Sequence, residues 1–207
     1  MNLSSSHLPN ERSFVILASM DRRTEILTTA GNLFRERGYH ATSMRDIAGA
    51  LELRGSSLYA HIRSKEELLE EVVNHAADAF LEAANSVDGS LAADERLRAL
   101  IRGHLEVIVQ ELPRATVFFH EWKFLSDEYK AQITARRDAY ECHFRKAVEE
   151  GVRERMFRVE DTKLATLFVL SSLNWTYQWL HEDGKLSLNE LTEKYTTLIF
   201  DALNAKQ

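Results

Sequence analysis

Apolar residues recur along most of this chain at three- and four-residue spacing, the period of helices that bury one face. Ile26, Leu27, Ala30, Leu33 and Phe34 make one such stripe, which predicts a first helix over about Asp21–Arg37, ended by Gly38 as a glycine just past the last turn. Ser43 with Asp46 three residues on is a cap box for a short second helix carrying Met44, Ile47, Ala48 and Leu51. A third short helix is expected over about Ser56–His61. Ser64 and Glu67 then open a long fourth helix through Leu68, Leu69, Val72, Val73, Ala76 and Phe80 to Asn85.

A break at Gly89 precedes a fifth stripe, Leu97, Leu100, Ile101, Leu105, Ile108 and Leu112, stopped by Pro113. A short aromatic helix follows over Arg114–Leu125, then a long one from Ser126 that ends at Gly151. The stretch from Asp161 to about His181 is apolar nearly all round, a pattern that needs cover on two sides. The last helix starts at the cap box Ser187/Glu190. The pattern therefore predicts an all-α protein of about nine helices, without repeats or low-complexity tracts.

Eight Gly and two Pro in 207 residues leave little turn chemistry, which agrees with an all-helical class. The single cysteine, Cys142, excludes an internal disulfide framework and points to a reducing, cytoplasmic setting. No apolar run approaches the roughly 20 residues that span a bilayer, so no membrane partner is expected. Residues 1–20 are expected as a flexible arm, or as the product of a start placed too early. The net charge of −6 hides an asymmetry: the charges of residues 1–20 cancel and residues 21–65 sum to +3, leaving −9 for residues 66–207. A mildly basic head on an acidic body suits a module that meets phosphates locally.

The segment Thr42–Lys65 gives that head its character. It sets a short amphipathic helix, a tight connection at residues 52–55, and a second short helix whose outer face is small and polar. Ser56 and Ser57 would let a helix backbone approach base edges, while Tyr59, His61 and Lys65 can reach phosphate oxygens. An alternative for Tyr59 is a buried anchor with a wet hydroxyl. Arg22, Arg23, Arg35 and Arg37 read as solvated charges.

Ala30, Leu33, Phe34, Gly38, Tyr39, Thr42, Ser43, Ile47 and Ala48, then Ser57, Leu58, Tyr59, His61, Ser64, Lys65, Glu66 and Leu68, fall at the spacing of the N-terminal motif of the TetR family of repressors, which this chain resembles over about 50 residues. The resemblance implies a helix-turn-helix domain over 21–65, a ligand-binding and dimerisation domain over 66–207, a homodimer, and operator DNA as partner. It further implies that Thr42, Tyr59, His61 and Lys65 contact the DNA backbone and that Arg45, Arg54, Ser56 and Ser57 face the bases. Two positions depart from the family pattern. Glu52 stands where the turn usually has Gly, and Arg54 where Ser or Thr usually precedes the recognition helix, so the cap is expected to shift to Ser56 and Arg54 to read guanine or clamp a phosphate.

The body is dense in aromatics. Phe118, Phe119, Trp122, Phe124, Tyr140, Phe144, Phe168 and Trp175 suit either core or the wall of an apolar ligand cavity, with His143 and Asn174 as polar candidates beside His120, Glu121 and Arg136. The run Asn174–Trp179 with Asp183–Ser187 looks like the C-terminal signature of a TetR subgroup that senses acyl-CoA thioesters. Phosphate loops, metal-binding helices and nucleophile elbows are absent from the sequence, so neither an enzyme nor a cofactor or metal is expected. His104, His120 and His143 read as structural histidines. The rival reading is a helical module whose head binds protein instead of DNA.

Overall fold

The computed structural model describes the backbone of residues 11–180 and 186–204 and the side chains of 22–180 and 186–204. Every regular element among them is helical: α1 Glu11–Arg37, α2 Met44–Ala50, α3 Gly55–Tyr59, α4 Lys65–Asn85, α5 Ala93–Gln110, α6 Leu112–His120, a 3-10 turn Trp122–Phe124, α7 Asp127–Arg153, α8 Thr162–Asn174, α9 Thr176–Trp179 and α10 Leu188–Asn204. The nine expected helices are present, the eighth being divided at Trp175 into α8 and α9. Helix α1 starts at Glu11, ten residues before the expected Asp21, so half of the expected arm is helical; residues 1–10 lie outside the described residues, as do 183–185 of the expected C-terminal signature.

Local chemistry explains most boundaries. Gly38 takes φ +85 and donates its N–H to Phe34 O at 2.9 Å, ending α1. Ser43 and Asp46 close a reciprocal cap box on α2. Ser187 and Glu190 close another: Glu190 donates its backbone N–H to the serine hydroxyl, and its carboxylate accepts the Ser187 backbone N–H. Ser64 caps α4 through the Glu67 N–H at 3.0 Å, but the Glu67 carboxylate accepts from the Arg63 N–H instead of closing the box. Pro113 stands in the first turn of α6, where its missing N–H costs nothing.

Gly151 is a correction. The sequence makes it the end of α7, yet the helix continues to Arg153 and the left-handed residue is Arg155, at φ 63. After the helix the chain folds back, with the N–H groups of Met156 and Phe157 both donating to Gly151 O. A Cβ at position 151 would lie within the van der Waals envelope of the Phe157 ring, which is itself buried and edge-on to Phe200. Glycine is there for close packing. Gly151→Ala should cost about 1–3 kcal/mol of stability, read from the shift of a urea midpoint at unchanged slope.

Two apolar cores share the two central helices. The first joins α1, α2, α3 and the first half of α4 to α6 through Ile26, Phe34, Ile47, Leu58, Leu69 and Phe118. The second joins the end of α4 and most of α5 to α7, α8 and α10 through Leu97, Ile101, Leu105, Phe144, Leu173 and Ile199. Because α4 belongs to both cores, a displacement of its far end moves the elements packed on its near end.

Candidate nucleic-acid interface and ligand cavity

Helix α3 is anchored by Leu58 and, just beyond it, Ile62, both fully buried. Its other side chains face out: Arg54, Ser56, Ser57 and Tyr59 are exposed, Tyr59 at 55%, which rules out the buried-anchor reading. Arg45 on α2 is exposed too, and neither Arg45 nor Arg54 has an ion-pair partner among the described residues. Five of the eight expected contact residues are thus open to solvent. The cap does not shift to Ser56: Arg54 is the N-cap and no side chain caps α3.

The remaining three are placed differently. Thr42 is 1% exposed, and its hydroxyl is engaged by Gly38 O at 2.9 Å and Leu33 O at 3.2 Å, so its side chain holds the α1–α2 corner instead of meeting a phosphate. Lys65 donates to Tyr39 O and Thr42 O, both at 2.9 Å, and lies 4.3 Å from the Tyr39 ring centroid. It pins the start of α4 to that same corner with one N–H to spare. His61 is half-buried and its carbonyl accepts from Arg23. Arg23 is no solvated charge: it also reaches Glu67 and Glu71, tying α1 to α4. Those partners lie 44 and 48 residues away, a distance no local pattern encodes.

Glu52 takes φ 54 in the turn between α2 and α3. An L side chain is strained there and glycine is not. Glu52→Gly should raise stability by roughly 0.5–1 kcal/mol in thermal or urea unfolding, without changing the buried anchors of α3.

On the body side of α4 lies a cavity of about 200 Å³ lined by Phe80, Phe118, Phe119, Tyr140, Leu167 and Leu170, with His104, Arg136, Arg137, Glu141, Ser171 and Asn174 as polar groups. Of the expected ligand residues, Phe118, Phe119, Tyr140 and Asn174 line it. Phe144 is fully buried behind Tyr140, with ring centroids 5.4 Å apart, and His143 and Trp122 are half-buried outside the lining. Phe168 and Trp175 are corrections: they are 51% and 62% exposed and point away from the cavity. Helical arithmetic gives the reason. Leu167, Leu170, Ser171 and Asn174 share the inward stripe of α8, while Leu164, Phe168 and Trp175 form the stripe beside it.

Sequence reasoning missed the polar lining residues His104, Arg137, Glu141 and Ser171, and in the case of His104 because a lone histidine on an apolar face reads as core. His104 is fully buried, with Nδ1 2.9 Å from the Tyr140 hydroxyl and Nε2 without a hydrogen-bond partner of ordinary geometry. Burial pushes its pKa down to about 3, which the Leu173 carbonyl only partly offsets, and burial likewise raises that of the Tyr140 phenol. Both groups are neutral, so the cavity wall there offers hydrogen bonds without charge. Of the remaining polar candidates, Glu121 is buried and accepts the Tyr39 N–H at 3.3 Å, which links the end of α6 to the α1–α2 corner; His120 is exposed beside it. No group of three or more metal-ligating side chains occurs among the described residues.

Comparison with known proteins agrees with this geometry. Residues 26–72 match the family model described as bacterial regulatory proteins, tetR family, and residues 90–203 match the one described as tetracyclin repressor-like, C-terminal domain. The transcriptional repressor KstR2 of Rhodococcus jostii is 29% identical over 185 residues, 88% of this chain and 91% of its own. The structure of the regulator PfmR from Thermus thermophilus superposes with a TM-score of 0.80 at 34% identity, covering 88% of this chain and 99% of that one. That of AibR in complex with isovaleryl coenzyme A and operator DNA has a TM-score of 0.78 at 30% identity, covering 86% and 98%.

Proposed function

The chain belongs to the TetR family of bacterial regulatory proteins, and from that premise we propose that it is a transcriptional repressor that holds operator DNA as a homodimer and releases it when a small ligand, an acyl-CoA thioester, enters the cavity. The observation that carries this reading is the double role of α4. Its first residue, Lys65, is bonded to the corner of the DNA-facing head, and Ala77, Phe80 and Leu81 near its other end line the cavity. A ligand that bound better when α4 was tilted would shift both heads and break their register with two half-sites about 34 Å apart.

Leu164 and Phe168 on α8, Trp175 at its C-cap and Leu198 on α10 are large, apolar and exposed. In a homodimer these two helices and their copies would pack as a four-helix contact, whose burial removes the exposed side chains from water. AibR, which was solved with both isovaleryl coenzyme A and operator DNA, supports the ligand class. A cavity of about 200 Å³ takes the acyl end and not the coenzyme. We read the chain as a regulator and not an enzyme, acting in the cytoplasm where its DNA is. The head-binds-protein alternative has no observation in its favour.

The test is anisotropy of labelled DNA from upstream of the gene, titrated with protein and then with short- to long-chain acyl-CoAs. Release below millimolar concentration by at least one of them is expected. Stable complexes across the whole panel would sink the acyl-CoA reading.

A further inference from the structure

We propose that the effector is an anion and that Arg137 selects it, pairing with its negative group while the hydrocarbon part lies against Phe80, Phe118 and Leu170. The proposal rests on reading the cavity as the effector site. Arg137, on α7, lines the cavity and lies 5.1 Å from the ring centroid of Phe118 and 4.8 Å from that of Trp122. Its neighbours have their charges matched: Arg136 is held by Asp78 and, at 3.0 Å, by Asn74, while Glu141 stands 3.7 Å from Arg145. Arg137 has no carboxylate within ion-pair distance and no hydrogen-bond partner among the described residues.

An arginine stays charged even where burial disfavours it, as it does here. The two rings attract the cation but supply no counter-charge, and among the described residues no protein group accepts from the half-buried guanidinium. A half-buried guanidinium with no counter-charge has lost part of its hydration, and an anion would make up for that loss. A carboxylate or phosphate oxygen pair matches its fork of donors. The anion has two possible sources that share this chemistry: the carboxylate of a free short-chain acid seated in the cavity, or a phosphate of a coenzyme that stays outside it and meets the half-buried Arg137 side chain from solvent.

Binding to the full-length protein is measured by calorimetry with isovaleryl-CoA, isovalerate, the uncharged N-acetylcysteamine thioester of isovalerate, isovaleramide and coenzyme A alone, for the wild type, Arg137→Met and Arg137→Lys. The wild type should bind at least one acyl anion about tenfold or more tighter than its neutral counterpart. Preference for the CoA thioester places the anion on the coenzyme; preference for isovalerate makes it a carboxylate. Arg137→Met should erase the preference without lowering the melting temperature of the ligand-free protein, and Arg137→Lys should keep part of it. Equal binding of charged and neutral partners, or a preference that survives in Arg137→Met, overturns the proposal and leaves the cavity as effector site. If no compound binds the wild type, that reading falls and the proposal with it. The wild-type comparison tests whether the effector is an anion; if Arg137→Met fails to fold, Arg137→Lys tests the residue, and an undiminished preference in that variant overturns the role of Arg137.

Discussion

Between 50 and 200 mM salt, the affinity of the dimer for operator DNA should fall by about 10³-fold or more. The cause is the head's surface. Arg45 and Arg54 are exposed without ion-pair partners among the described residues, and Ser56, Ser57 and Tyr59 are exposed beside Arg54 in sequence, so phosphate contact releases counterions from the duplex instead of breaking internal pairs. The acidic body adds repulsion at any other approach, since residues 66–207 carry −9. Anisotropy titrations at several salt concentrations give the slope directly. A slope near zero would favour a protein partner for the head. Arg54→Ala should reduce the slope or alter base preference, whereas Lys65→Ala acts through the corner that Lys65 holds.

Stability should fall by about 2 kcal/mol between pH 7 and pH 5 through His104 alone. The folded pKa is about 3, against 6.5 for the ordinary side chain. Below 6.5 the unfolded chain takes up a proton that the folded chain refuses, so the stabilisation is complete above 6.5 and is lost progressively as pH falls toward 3. His143, whose pKa is also lowered by burial and by Lys146, acts in the same direction. The carboxylates with lowered pKa, such as Asp46 and Glu67, lose their contribution at more acid pH. Urea unfolding at pH 7 and pH 5 measures the difference, and His104→Gln should remove most of it. An unchanged difference in that variant would mean that His104 is not held neutral.

The sequence by itself determined the elements and the head. Gly38, the Ser43/Asp46 and Ser187/Glu190 boxes, and the apolar stripes of α1, α4 and α5 act within a few residues, so local spacing is enough to read them. The same holds for α3, where buried Leu58 among exposed Ser56, Ser57 and Tyr59 follows from helical period. Tertiary structure alone decided which apolar stripe met which neighbour. Phe168 and Trp175 carry the same hydrophobic signal as Leu167 and Leu170, but only the packing of α8 sends one pair outward and the other to the cavity. Gly151 is explained by Phe157, Arg23 by Glu67 and Glu71, His104 by Tyr140, and Arg137 by the absence of a nearby carboxylate among the described residues. Periodicity records that a side chain is apolar or charged and on which face of its own helix it lies. What stands opposite that face is fixed by segments distant in sequence, and their approach is a property of the packed fold.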